Sequence, residues 1–279
     1  MNAAWNIELQ DLRIGYGDTV VLDNVTATMP AGKITVILGG SGSGKSTLLR
    51  HIIGLSRPMS GKVLLGGSDV FSLPHKEFRR VRRRMGVLFQ DGALLGSLTL
   101  GENVALPLKE HTKLSKEDID AIMEHKLSLV NLSGFSAYYP SELSGGMRKR
   151  AGLARAMVTD PPILLCDEPT SGLDPINAAQ MDMLLLSLKE RFPDMTIVSV
   201  SHDMESVRVI ADHVIVLANK TLAYSGDLKT LQATTDPYLR QFLDRKPMEE
   251  EGGEESLATL DPSTQKRMDE ALGSWLGRG

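Results

Sequence analysis

A chain of 279 residues with 42% hydrophobic and 24% charged side chains can bury a real core, which excludes a disordered or fibrous polypeptide. The net charge of −4 argues against a general nucleic-acid binder, and from Lys246 onward eight acids outnumber four bases, leaving residues 1–245 formally neutral. The single cysteine, Cys166, forms no internal disulfide; without a basic-then-apolar start or a run of about 18 apolar residues, the expected location is cytoplasmic.

Ile7–Leu12 and Val20–Met29, broken by Gly15 and Gly17, predict opening strands. Lys33–Leu38 predicts a short apolar strand, Gly39–Gly44 a loop, and Lys45–Ile53 a helix ending at Gly54. Met85–Phe89 predicts another strand. A helix-rich stretch over about residues 96–160 follows, with helices at Ser115–Val130 and Met147–Val158. Strands at Ile163–Cys166 and Thr196–Val200 flank a helical Asn177–Arg191. Alternation of strands and helices predicts an α/β fold with a mostly parallel core sheet covered on both faces, the middle stretch being a helical subdomain inserted in it.

The character changes at Asp236, dividing the chain into a domain over 1–235 and a C-terminal extension over 236–279. Pro247–Ser256 is acidic and reads as a linker. Asp261-Pro262 reads as a helix start, with Met268, Ala271, Leu272, Trp275 and Leu276 on one apolar face before Gly277. That short amphipathic helix has two readings, a frayed tail or a face that docks on a neighbouring copy.

Gly39-Gly40-Ser41-Gly42-Ser43-Gly44-Lys45-Ser46 matches G-x-x-x-x-G-K-[ST], between a predicted strand and a predicted helix. Glycines let successive amides turn onto phosphates at the positive end of the following helix. Lys45 reaches the β- and γ-phosphates, Ser46 offers a hydroxyl to Mg²⁺, and Thr47 completes the candidate nucleotide set. The apolar run Ile163–Cys166 ends in Asp167-Glu168. Asp167 is placed to hold the metal and Glu168 to polarise an attacking water, the pair that phosphoryl transfer to water requires.

Leu143-Ser144-Gly145-Gly146-Met147 opens a second helix, whose cap and two glycines also suit an anion. One nucleotide does not need two cradles, so the second is expected to serve a nucleotide on another subunit. In this order the motifs resemble the ABC transporter ATPase family over about residues 5–235. The resemblance implies a P-loop NTPase fold with an N-terminal antiparallel β part, ATP and Mg²⁺ as ligands, and a homodimer. It makes Tyr16 the aromatic that stacks on adenine and Gln90 a metal contact that also senses the membrane subunit. Ser144, Gly145 and Gly146 become the signature that closes over the partner's phosphate. Ser171-Gly172-Leu173-Asp174 becomes the D-loop, and His202 the switch histidine beside the catalytic Glu168 and Lys45.

The signature ends in Met147 where Gln is usual. Leu-Ser-Gly-Gly-Met is similar to ATPases of phospholipid-handling systems of the Mla or MCE type, as are Leu88–Leu94, Glu102–Leu108 and Asp236–Leu243. This implies two copies of a permease, an MCE-type lipid-binding protein as a further partner, and a peripheral place on the cytoplasmic side of the inner membrane. The alternative is the ATPase of a small-solute importer for amino acids or ions. The basic run His75–Arg84 reads as a solvated helix face beside Gln90, with anionic headgroups or nucleic acid as the sharper alternatives, of which nucleic acid is not expected.

Overall fold

In a computed structural model, residues 5–244, 261–264 and 266–268 are described. The chain forms two compact units, Met1–Thr235 and Asp236–Gly279.

The first unit opens with the antiparallel strands β1 (Ile7–Tyr16) and β2 (Thr19–Met29). Gly15 does not break β1. A Cβ there would lie 2.0 Å from the Thr19 carbonyl oxygen, so the close approach of the hairpin strands demands glycine within the strand. β3 (Ile34–Gly39) leads through the glycine loop into α1 (Lys45–Ile52). β4 (Ser60–Leu65) and β5 (Ser68–Asp69) complete a four-stranded sheet of order β2-β1-β4-β5. α2 (His75–Arg82) and β6 (Met85–Leu88) follow.

Between β6 and the next strand run α3 (Leu100–His111), α4 (Lys116–Leu129), a 3-10 turn at Pro140–Glu142, and α5 (Gly145–Ala156). β7 (Ile163–Asp167), α6 (Pro175–Arg191), β8 (Thr196–Val200), α7 (Met204–Ile210), β9 (His213–Ala218), β10 (Thr221–Gly226) and α8 (Leu228–Gln232) complete the unit. The second sheet has the order β10-β9-β3-β8-β7-β6, parallel except for β10.

β3, β7, β8 and β9 are near-continuous apolar runs, the pattern of strands covered on both faces. Leu48, Leu49 and Ile52 of α1 join one cluster with Leu9 and Ile14 of the first sheet and Ile37, Leu165 and Val200 of the second. α1 is thereby wedged between the sheets.

Helix boundaries follow their caps. α6 starts at Pro175, earlier than the apolar pattern suggests, because the Asp174 carboxylate accepts from the amides of Ile176 and Asn177. α5 starts at Gly145 under a Ser144 cap. α3 is set by a Thr99–Glu102 capping box, and its sequence pattern is blurred by Gly101 and Pro107.

In the second unit α9 (Pro237–Leu243) begins where the Asp236 carboxylate accepts from the Leu239 amide. Asp261 accepts from the amides of Ser263 and Thr264, and bonds from these two residues hold its carboxyl down at about 2. Met268 is exposed; the rest of the expected apolar face, from Ala271 to Leu276, lies outside the described residues.

Candidate functional site

The register of the core sheet brings three loops together. Val200 on β8 pairs with Ile37 on β3 at one side and with Asp167 on β7 at the other. The C-terminal ends of these strands are therefore level, and the loop Gly39–Gly44, Glu168 and Ser201-His202 emerge along one edge. In open parallel sheets that edge is where ligands bind.

The glycine loop is shaped by positions where a side chain cannot fit. At Gly44 φ is +95°, and a Cβ would lie 2.8 Å from Val21 Cγ1. At Gly39 a Cβ would fall 2.4 Å from Ser43 Oγ. Gly40 and Gly42 have nothing near a Cβ, and Ser41 and Gly42 are exposed, so this side of the loop is open. No side chain caps α1, which leaves its first amides available to an anion. Ser43 Oγ is buried with no hydrogen-bond partner. Lys45, only 6% exposed, folds back so that Nζ donates to the carbonyls of Gly39 (2.9 Å) and Gly40 (2.8 Å). Burial lowers its pKa, against the opposing pull of Glu168 and Asp167. An uncapped helix start, an unpaired hydroxyl and a desolvated ammonium together fit a polyphosphate.

Ser46 Oγ donates to Asp167 Oδ1 at 3.0 Å. Burial raises the Asp167 pKa, Glu168 adds to this, and the Ser46 bond, Arg50 and Lys45 oppose it. A carboxylate disfavoured as an anion in this way is suited to a cation. Among the described residues no cluster of three or more His, Cys, Asp or Glu could hold a metal unaided, so phosphate oxygens and water must complete any coordination built on Ser46 and Asp167. Gln90 lies two residues beyond Leu88, which pairs with Cys166, and is exposed; among the described residues it makes no hydrogen bond with Ser46 or Asp167. Burial pushes the Cys166 thiol up to about 12, so it is an inert core residue.

Glu168 adopts φ +48°, a left-handed conformation rare for a residue with a side chain and of the kind that gathers at functional sites. Its amide donates to the Val200 carbonyl at 3.1 Å, and its Oε1 lies 3.5 Å from His202 Nδ1. Tyr16, half exposed, lies within 3.3 Å of Thr47 Oγ1 through its hydroxyl, which also accepts from Arg50 Nη1 at 3.4 Å. The aromatic is thereby anchored beside the first turn of α1. Its phenol is shifted down chiefly by the Thr47 bond.

The second glycine-rich helix start stands apart. Ser144 Oγ accepts from the Met147 amide at 3.2 Å, Ser144 and Gly145 are exposed, and none of their hydrogen bonds reaches the glycine loop. Gly146 is close-packed, a Cβ there falling 3.1 Å from Asn177 Oδ1.

Several residues that sequence patterns did not single out hold these loops. Asn103, fully buried, donates to the carbonyls of Leu95, Leu98 and Thr99 and accepts from the Leu95 amide, fixing the segment after Gln90. Arg155 donates to the carbonyls of Gly92 and Ala93. Lys149 donates to those of Glu168 and Ser171. In the basic run, Arg82 lies over the Phe78 ring at 5.7 Å and Arg84 over Trp5 at 6.0 Å, so part of that charge is spent on packing.

Residues 22–171 match the ABC transporter family. The chain belongs to that family. It is 44% identical over 238 residues, 85% of its length, to the probable ribonucleotide transport ATP-binding protein mkl of Mycobacterium tuberculosis, and spans 66% of that relative. Over a stretch of the same length it is 42% identical to the intermembrane phospholipid transport system ATP-binding protein MlaF of Escherichia coli K12, covering 88% of that protein. Its fold resembles the dimeric post-hydrolysis state of the ATP-binding cassette MJ0796 bound to ADP and Pi (TM-score 0.73, 32% identity, 80% of this chain and 98% of that one). It also resembles CbiO1 of Clostridium perfringens, part of the ABC transporter complex CbiONQ (TM-score 0.76, 27% identity, 86% and 95%). No helix among the described residues is long and apolar enough to cross a membrane.

Proposed function

We propose that this chain binds MgATP and hydrolyses it as the motor subunit of a membrane transporter, two copies closing on two nucleotides. The observation that carries this reading is the convergence, on one sheet edge, of an uncapped glycine-rich helix start, the Ser46–Asp167 pair and Glu168. The amides of Gly40–Ser46 and Lys45 grip the phosphates. Mg²⁺, when bound with the nucleotide at Ser46, Asp167 and Gln90, supplies charge neutralisation at the phosphate oxygens. Glu168 orients and polarises water, His202 next to it senses the terminal phosphate, and Tyr16 flanks the base. The Ser144–Gly146 start, exposed at Ser144 and Gly145, seals the nucleotide held by the other copy, and separation of the copies drives a permease pair on the cytoplasmic face of the membrane.

The cargo we assign is phospholipid, with an MCE-type lipid-binding protein as a further partner. The support is the Leu143–Met147 signature and the likeness to a phospholipid transport ATP-binding protein over 85% of the chain. Exchanging Glu168 for Gln is expected to leave MgATP binding intact and lower turnover by roughly 10²–10⁴. Phosphate release and equilibrium nucleotide binding check this. Near-parental hydrolysis would remove Glu168 from the role of base.

A further inference from the structure

Lys149 sits on the third residue after Gly146, at the start of the second turn of α5, and its side chain is turned inward to 6% exposure. An ammonium so placed must have strong acceptors, because desolvating an unpaired cation is costly. It has them: Nζ donates to the Glu168 carbonyl at 3.0 Å and to the Ser171 carbonyl at 2.6 Å. Burial pulls its pKa down, while the carboxylates of Asp91 and Glu168 favour its charge. One cation thus joins three segments: the loop after Gln90, the start of α5, and the turn from Glu168 to the D-loop.

The joint is stiff on each side. The Ser171 amide donates to the same Glu168 carbonyl at 3.1 Å, so Lys149 grips a turn already closed on itself. A Cβ at Gly152 would lie 2.8 Å from Gly92 Cα, and Arg155 holds the Gly92 and Ala93 carbonyls, so the loop after Gln90 is locked to the same helix. Packed elements joined by charge-assisted bonds move together rather than deform. The residue held by this bond is Glu168, whose left-handed φ needs the surrounding structure to enforce it.

We propose that Lys149 is a positioning residue that couples the two nucleotide sites of the dimer. It carries the engagement of Ser144–Gly146 with one nucleotide into the placement of Glu168 against the other. The inference rests on the split site proposed above. When the α5 start is drawn onto the partner's nucleotide, the Glu168–Ser171 turn of the same chain follows, and its carboxylate reaches its working position.

The test uses the full chain with Lys149→Met, Lys149→Arg and Ser144→Arg, comparing MgATP binding, thermal midpoint and hydrolysis rate against ATP concentration. Lys149→Met is expected to bind MgATP within about two-fold of the parent. Its kcat should fall roughly 10- to 100-fold, the scale of a small misplacement of a catalytic group, and its Hill coefficient should drop towards one. Lys149→Arg, which keeps a buried donor, should restore much of both. If kcat and the Hill coefficient of Lys149→Met match the parent while Ser144→Arg is inactive, the coupling is overturned and the split site stands. If Ser144→Arg hydrolyses at the parental rate, the split site itself fails. A second readout needs no Lys149 variant. Amide exchange over residues 168–172 should slow with MgATP in the parent and not in Ser144→Arg, and equal slowing in both would overturn the proposal.

Discussion

The helix starts at Lys45 and at Gly145 are both rich in glycine, yet their surroundings differ. α1 has no side-chain cap, its Lys45 is folded into the loop, and Ser43 Oγ is buried without a partner; the Ser46 hydroxyl is tied to Asp167. α5 has its Ser144 cap in place and that serine exposed, and its deeper side chains are committed to its own chain through Lys149 and Arg148, whose Nη1 donates to the Leu143 carbonyl at 2.6 Å. The first start keeps uncapped amides and an unpartnered hydroxyl beside an open loop. The second has its cap paired, its one buried side-chain atom without a partner among the described residues being Arg150 Nε farther along the helix, and Ser144 and Gly145 are exposed. On the split site proposed above, two motifs with the same glycines serve opposite halves of one site, and the hydrogen bonds around them differ accordingly.

The comparison can be broken most sharply at Lys45 and Ser144. Lys45→Ala removes a charge-assisted donor from the phosphate cradle and should weaken MgATP binding about 10- to 100-fold, measured by nucleotide titration. Ser144→Arg should leave binding near parental and cut turnover by roughly 10²–10³, as loss of a transition-state donor does. If both variants lost binding equally, the two starts would not belong to different halves.

A smaller effect separates stability from chemistry. Asp182, 4% exposed on α6, accepts from Ser206 Oγ on α7 at 2.8 Å, and its Oδ1 has no hydrogen-bond partner. Burial raises its pKa from 3.8 to about 6, with the Ser206 bond opposing and Asp203 adding. Between these values the folded state binds more protons than the unfolded chain, so stability falls as pH rises from about 4 to 6 and the penalty is complete above that. Asp182→Asn keeps an acceptor for Ser206 and should be about 1–3 kcal/mol more stable than the parent at pH 7.5, the gap closing towards pH 4.5 in denaturant titrations. A gap independent of pH would show that the carboxylate is not the source.

Much of this was legible in the residue pattern. Thr196–Val200 and the strand of Ile163 to Asp167 are short apolar runs between turn signals, and the glycine loop and Asp167-Glu168 carry their own spacing. The C-terminal sheet edge could be expected from strand–loop–helix order alone, but the levelling of Ile37, Val200 and Asp167 needed the register. α3 was obscured by Gly101 and Pro107, whose propensities are overridden by the Thr99 capping box and by burial of Val104 and Leu108. Lys149 and Arg155 were illegible for another reason. A lysine or arginine in a basic helix reads as solvated, and only the fold shows which backbone carbonyls are brought close enough to bury it.

The split site is tested most directly by mixing Lys45→Ala with Ser144→Arg at an ATP concentration too low to load the weakened loop of Lys45→Ala, where neither alone turns over appreciably. A mixed dimer pairs the intact glycine loop of one copy with the intact Ser144–Gly146 of the other, so ATP hydrolysis should reappear on mixing and depend on both proteins. Activity that stays absent in a mixture shown to contain the mixed dimer would contradict the account, as would full-rate hydrolysis by a strictly monomeric parent.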